Sequence, residues 1–91
     1  MSDIYTLINY FDVWGNEEDG WEVNNAYEEF DIRITDNMTD QDIISFLYEK
    51  EFFNTKDIDK FLIESNGDSI EIFETETGKP LCSLIKKEVF E

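Results

Sequence analysis

Only one stretch of this chain, residues 40–51, carries apolar side chains at the spacing of an α-helix. Ile43 and Leu47 are four residues apart there and share a helical face. Thr39 precedes the stretch as an N-cap residue, and acidic residues occupy the first turn, where they oppose the positive end of the helix dipole. The remaining apolar segments are strand-like, and one helix can cover only one face of a sheet. The sequence therefore predicts an α+β domain with a second sheet face that the helix leaves uncovered.

Two extended segments precede the helix. Residues 4–14 are rich in β-branched and aromatic residues, and residues 21–34 alternate apolar with charged side chains near their end. Glycines bound the turn between them, residues 15–20. We expect the second strand to contain a bulge near residues 24–25.

Three strands are predicted after the helix. Asn66-Gly67 is the strongest hairpin signal, and with these two as turn residues Ile63 faces Ile70. The first of these strands is predicted at residues 58–65, and the last, at 81–86, has a register that the sequence leaves ambiguous. The order β-β-α-β-β-β predicts a single domain over residues 1–91, with an antiparallel sheet and one helix packed on one face.

The chain is strongly acidic but not disordered in character. It has 23 acidic and 7 basic residues, a net charge of −16, together with 15% aromatic residues. Disordered acidic chains lack such aromatic content, because they cannot bury enough apolar surface to offset chain entropy. The charge is also uneven, since residues 1–49 hold 13 acidic residues and a single basic one. Three interpretations stay open: solubility, a field directed at a basic partner, or adaptation to acid or salt.

The first strand pair is apolar on both faces. If Trp14 and Trp21 stand opposite each other, one face is rich in aromatic residues and the other is apolar as well. The first face then holds Ile8, Tyr10, Trp14, Trp21, Val23 and Tyr27, and the second holds Leu7, Phe11 and Val13. Either these aromatic residues complete a second core or shield the sheet, or they anchor a binding patch inside an acidic rim, as in many interface hot spots.

Several kinds of active site are missing from the sequence. Histidine is absent, which removes the usual general base and the commonest zinc ligand. Cys82 is the lone cysteine and lies in an apolar run, so we expect a buried hydrophobe rather than a nucleophile. The first turn fails the calcium-loop pattern because Gly15 stands where an aspartate belongs, which leaves only a weak cation site from Asp12, Glu17 and Asp19 as an alternative. We expect no catalytic residue, no metal site and no cofactor.

The segment DVWGNEEDGWEVNN, residues 12–25, resembles a segment of small, functionally uncharacterised proteins encoded by bacteriophages and prophages of Gram-positive bacteria. This resemblance implies a phage context and assigns no role to any residue. In composition the chain is also similar to acidic phage inhibitors of host DNA-binding enzymes, which include inhibitors of uracil-DNA glycosylase, restriction enzymes and CRISPR effectors. That similarity implies a DNA mimic of the anti-CRISPR or anti-restriction type.

These features predict a non-enzymatic protein that binds a basic, nucleic-acid-binding host enzyme. The candidate binding residues are Asp12, Trp14, Glu17, Glu18, Asp19, Trp21, Glu22, Glu28, Glu29, Asp36, Asp40 and Asp42. The alternative is a structural or adaptor protein of a mobile element that forms a homodimer or docks through the aromatic sheet face. Direct binding to nucleic acid or to membranes is not expected, because both are read mainly through lysine and arginine. With no long apolar run and no basic N-terminal region, the expected location is the cytoplasm of the host bacterium.

Overall fold

The computed structural model describes residues 2–87 and confirms the α+β class. Its strands are β1 (Ser2–Tyr10), β2 (Val13–Asn16), β3 (Gly20–Val23), β4 (Ala26–Thr35), β5 (Phe61–Asn66), β6 (Ser69–Glu74) and β7 (Pro80–Lys86). The helix α1 spans Asp40–Glu49, and a 3₁₀ turn spans Ile58–Lys60. Five strands form an antiparallel sheet in the order β4-β1-β7-β6-β5, and β2 and β3 form a separate two-stranded sheet.

Each of the two predicted N-terminal strands is interrupted once. β1 ends before Phe11–Asp12, and β3 ends before Asn24–Asn25, where the sequence predicts a bulge. The Phe11 N–H donates to the Asn25 carbonyl oxygen (3.1 Å), and the Asn24 N–H donates to that of Asp12 (2.8 Å). The pairing register nevertheless continues unchanged across this gap, since Tyr10 pairs with Ala26 and Val13 pairs with Val23. The register shift of this strand pair lies between Leu7 and Ile8, so the bulge predicted near residues 24–25 is misplaced.

Residues 11–25 continue past the end of the five-stranded sheet as a two-stranded extension, which we call the arm. β7 pairs with β1 only as far as Asn9, so in the described part of the chain the arm has no third strand. The domain is accordingly elongated, with extents of 43 × 27 × 23 Å.

The core lies between α1 and one face of the five-stranded sheet. Its buried side chains come from the helix and from four strands: Tyr5, Leu7, Ile32, Ile43, Ile44, Leu47, Ile70, Ile72, Cys82 and Leu84. The predicted helical face is confirmed for Ile43 and Leu47, whereas Tyr48 is 41% exposed. Cys82 is fully buried, as expected, and burial raises the pKa of its thiol to about 12.

The two ends of α1 differ in how well their sequence suits a helix. At the start, the Thr39 hydroxyl accepts a hydrogen bond from the Asp42 N–H, and the Asp42 carboxylate accepts one from the Thr39 N–H, which is a capping box. The helix ends at Glu49, two residues earlier than predicted, and Lys50 is its C-cap residue. Glu51 then adopts a left-handed backbone conformation, with φ of 63°.

The β5–β6 hairpin has a register different from the predicted one. Its turn residues are Gly67 and Asp68, because Asn66 pairs with Ser69. Gly67 alone of the two has positive φ, which matches a type II′ turn with glycine at its first central position. Ile63 consequently faces Ile72 rather than Ile70. The register moves by two residues, so the apolar side chains keep their predicted face.

The strand predicted from Ile58 begins only at Phe61. The Asp57 carboxylate accepts a hydrogen bond from the Asp59 N–H (3.1 Å), and this cap favours the 3₁₀ turn over strand pairing. Along β6 and β7, Ile72 pairs with Cys82, which fixes the register that the sequence left ambiguous.

The face of the sheet opposite α1 has no second layer within residues 2–87. Leu62 and Ile85 are exposed there, at 51% and 43%. Ser83 is buried, and its hydroxyl accepts a hydrogen bond from the Tyr10 hydroxyl at 2.9 Å. Among the described residues, no helix combines the length and the apolar character that crossing a bilayer requires.

Candidate protein-binding surface

Trp14 and Trp21 lie on opposite faces of the arm, so the predicted aromatic face that unites them is wrong. Trp14 pairs with Glu22, and Trp21 pairs with Gly15. Directly opposed residues share a face and neighbours alternate, so a shift of one residue from the predicted register separates the two indoles.

The cause of the shifted register is the turn at the tip of the arm. Three residues, 17–19, join Asn16 to Gly20, and Gly20 has φ of 89°. A three-residue hairpin loop followed by a residue with positive φ is a common arrangement. The Asn16 side-chain oxygen also accepts a hydrogen bond from the Asp19 N–H at 2.7 Å, which closes the loop locally.

Trp21 joins the arm to the turn between β6 and β7. Its indole nitrogen lies 3.8 Å from the position that a Cβ at Gly78 would occupy, and a Glu17 carboxylate oxygen lies equally close to that position. The nitrogen is buried and has no hydrogen-bond partner among the described residues. Trp14 is 56% exposed on the other face. Of the two predicted anchors, Trp14 is therefore accessible and Trp21 is a packing residue.

The predicted acidic residues of the arm and its base are all exposed. Five belong to the arm and two to the adjoining part of β4: Asp12, Glu17, Glu18, Asp19, Glu22, Glu28 and Glu29. None has a lysine or arginine nitrogen of the described residues within 4 Å. Among the described residues, the hydrogen-bond donors to the Asp12 and Asp19 carboxylates are asparagine amides, at 3.0 and 3.2 Å. These seven carboxylates thus form no ion pair with the described cations.

Ion pairing occurs instead on the five-stranded sheet. Lys86 lies 3.7 Å from Asp3, and Lys87 donates to Asp31 at 3.1 Å. The pKa of the Asp31 carboxyl is lowered, mainly by the hydrogen bond that the Thr6 hydroxyl donates to it and to a lesser extent by the one from Lys87. The sheet therefore holds locally balanced charge, whereas the arm does not.

Three predicted binding residues lie far from the arm. Asp36, Asp40 and Asp42 follow β4, whose ten residues span about 30 Å at the usual strand rise. Asp42 is also engaged in the capping box of α1. The structure thus divides the ten predicted carboxylates into seven at one end and three at the other.

Two exposed aromatic residues at the base of the arm form a contact that sequence reasoning missed. Phe11 and Tyr27 are 59% and 47% exposed, and their rings meet edge to face with centroids 5.2 Å apart. The hydrogen bond with Glu29 raises the pKa of Tyr27, and the Asn9 amide donates to the Tyr27 hydroxyl at 3.1 Å. The predicted register placed these rings on opposite faces. In the actual register Tyr27 pairs with Asn9, and Phe11 lies opposite Asn25, so a shift of one residue brings both rings to the same face.

A groove of about 1570 Å³ opens between the C-terminal end of α1 and the adjoining ends of the strands. Six carboxylates line it: Glu29, Glu49, Glu51, Asp59, Glu74 and Glu76. The ammonium-bearing residues in the lining are Lys50 and Lys60. Of the six carboxylates only Glu29 was predicted as a binding residue. The available signal was Glu49, an acidic residue at the negative end of a helix dipole.

Comparisons with protein-family models, with curated proteins and with solved structures find no match for this chain. The resemblance of residues 12–25 to phage-encoded proteins therefore stays a prediction from sequence.

Proposed function

We propose that this protein is a non-catalytic inhibitor that binds the basic, nucleic-acid-binding surface of a partner enzyme through the acidic arm. The observation that carries the proposal is the set of seven exposed carboxylates on the arm and its base, none of them paired with a described cation. No lysine or arginine occurs in residues 1–32, so the arm itself contains no basic residue.

Electrostatics explains how such an arm would act. Clustered like charge costs stability in the free protein, and this cost is relieved when a basic surface approaches. Complementary charge also accelerates encounter between the partners. Within residues 2–87 the carboxylates do not converge into a group that could hold a metal ion, so the charge is distributed along the arm rather than focused at one point.

Trp14 would supply the apolar anchor of this interface. It is 56% exposed and shares its face of the arm with the carboxylate of Glu22. A large exposed ring beside charged residues is a frequent arrangement in interface hot spots. The alternative, a homodimer through one aromatic face, has less support because Trp14 and Trp21 do not share a face.

Displacement of DNA from candidate enzymes tests the proposal. Labelled duplex DNA is bound to a uracil-DNA glycosylase, a restriction enzyme and a CRISPR effector in turn, and this protein is added while anisotropy is followed. We expect it to displace DNA from at least one of these enzymes. The proposed place of action is the cytoplasm of a bacterial host. The variant Glu18→Gln/Glu22→Gln should then need about five- to tenfold more protein, since each exposed charge contributes a few tenths to about 1 kcal/mol.

The matched control is Glu64→Gln/Asp68→Asn, which removes the same charge from the β5–β6 hairpin, where both side chains are exposed. We expect it to displace DNA almost as well as the wild type. If the two variants weakened displacement equally, bulk charge rather than the arm would be responsible. Binding without any displacement would contradict the inhibitory part of the proposal.

A further inference from the structure

The groove beside α1 is large enough for a chain segment. Pockets for small molecules have volumes of about 300–1,000 Å³, whereas this open groove has a volume of about 1570 Å³. Its walls come from the helix end, from residues 52–55 and 59–61, from the end of β1 at residues 9–10, from residues 29–30 of β4, and from residues 74–76 at the end of β6. An extended segment of another protein suits such a site better than a compact ligand.

Aromatic rings form one wall of the groove. Phe52 and Phe53 meet edge to face at 4.9 Å between centroids, and Phe53 and Phe61 are 4.5 Å apart. Tyr48 adds a ring that is 41% exposed. Ring faces attract cations, and the planar guanidinium of arginine stacks on them as well as pairing with carboxylates.

The charge of the groove points to the same kind of ligand. Among its six carboxylates, Glu49, Glu51, Asp59 and Glu76 accept no hydrogen bond and form no ion pair with the described residues. Of the two lysines, the ammonium of Lys50 lies 5.5 Å from the ring centroid of Phe46, which is outside the groove lining.

The end of α1 adds to the negative potential. The C-terminus of a helix carries the negative end of its dipole, which cations stabilise. No basic residue occupies the last turn, and Glu49 lies there instead. Lys50 follows as the C-cap residue, but the carboxylate of Glu49 opposes the dipole, and such departures from local preference are expected at functional sites.

Glu51 shows a second violation at the same place. Its φ of 63° lies in the left-handed region, where the Cβ of a residue other than glycine is crowded. The hydrogen bond from the Glu51 N–H to the Tyr48 carbonyl oxygen, at 3.0 Å, belongs to this helix end. Glycine would relieve the strain but would remove a carboxylate from the groove. Strained residues of this kind cluster at binding sites.

We infer that this groove binds an extended, arginine-containing segment of the protein partner. The inference rests on the proposed function, because it assumes a basic partner and states which part of that partner the groove would bind. Guanidinium groups would stack on the row Phe52, Phe53 and Phe61 and pair with the carboxylates around it. The arm and the groove are then two separate contacts with one partner.

A peptide measurement tests the groove separately from enzyme inhibition. The probe is a fluorescein-labelled peptide of alternating arginine and serine, with an alternating glutamine and serine peptide as the neutral control. We expect the full chain to bind the arginine peptide and not the neutral one. The variant Glu49→Gln/Glu51→Gln should bind it about tenfold more weakly, which corresponds to about 1.4 kcal/mol. The control Glu64→Gln/Asp68→Asn should change its affinity less than about twofold.

A third variant separates strain from binding. Glu51→Gly should raise the melting temperature and still weaken the arginine peptide by a few-fold, a combination that general destabilisation cannot produce. Equal losses from the groove and control variants would overturn the inference, as would undiminished binding by Glu49→Gln/Glu51→Gln. If sedimentation showed a wild-type dimer that Glu49→Gln/Glu51→Gln dissociates, the occupant of the groove would be a second copy of the chain, and the inference would be overturned. A different result would contradict the proposed function: DNA displacement that is unaffected by Glu18→Gln/Glu22→Gln.

Discussion

Trp21 stands directly opposite Gly15 across the arm, and its indole nitrogen reaches the turn that contains Gly78. Trp14, on the other face, is 56% exposed. The two tryptophans therefore have different roles: one attaches the arm to the domain, and the other remains open to a partner.

Alanine substitution should distinguish the two tryptophans. Trp21→Ala removes a half-buried ring that packs against the β6–β7 turn, so we expect a loss of about 1–3 kcal/mol in the free energy of unfolding. Trp14→Ala should change it by less than about 0.5 kcal/mol, since exposed substitutions have small effects. Urea denaturation measures both. Acrylamide should quench Trp14 in Trp21→Phe more strongly than it quenches Trp21 in Trp14→Phe, and the reverse order would contradict the pairing of the arm.

Gly15→Ala should disrupt the arm. A Cβ at Gly15 would overlap the carbonyl oxygen of Gly20, and its φ of 125° is unfavourable for any other residue. We expect a destabilisation of about 2–3 kcal/mol, or local unfolding of the arm seen as greater quenching of Trp21. Gly67→Ala is the control, because its φ is also positive while its Cβ would meet open space. It should cost only about 1 kcal/mol.

Glu51→Gly should stabilise the protein by about 1 kcal/mol, because glycine adopts the left-handed conformation without crowding of a Cβ. Glu51→Gln keeps the conformation and removes only the charge, so its effect should stay below about 0.5 kcal/mol. Thermal unfolding of both variants measures the difference. Equal effects would mean that charge, and not backbone strain, dominates at the end of α1.

The burial of Cys82 should make stability depend on pH above about 9. The unfolded thiol ionises near its ordinary pKa of about 8.5, while burial raises the folded pKa to about 12. Between these values the unfolded state binds fewer protons, so the free energy of unfolding should fall by about 1.4 kcal/mol per pH unit. This contribution is fully present below pH 8.

Cys82→Ala is the control for this titration. It should be less stable than the wild type at neutral pH, because it leaves a cavity in the core. It lacks the thiol, however, so the difference between the two proteins should narrow as the pH rises to about 10.5. A difference that stays constant over this range would show that Cys82 is accessible to ionisation in the folded state.

Elements with strong local signals were predicted well. The capping residue Thr39 and the helical spacing of Ile43 and Leu47 suffice to define α1. Cys82 lies in an apolar run, and its burial follows from that. The alternation in β4 and the apolar pattern of β5 and β6 fix which faces point to the core, even where the register moved by two residues.

The register of the arm could not be predicted because it depends on the turn. The choice between a three-residue loop at 17–19 and a longer one moves Trp21 to the other face, while both loops suit the same glycines. The groove could not be predicted either, because it brings Glu49 and Glu51 together with Glu74 and Glu76 from a distant strand end. The one sequence signal for the groove was Glu49, an acidic residue at the negative end of the helix dipole.

The salt dependence of DNA displacement tests the central claim most directly. For the enzyme that responds, the inhibitory concentration is measured from about 50 to about 400 mM salt, a range over which the screening length falls from about 14 to about 5 Å. If the unpaired carboxylates of the arm carry the interaction, inhibition should weaken at least about tenfold over this range, and Glu18→Gln/Glu22→Gln should show a shallower dependence. Inhibition that is constant across the range, with the same slope in both proteins, would contradict the account.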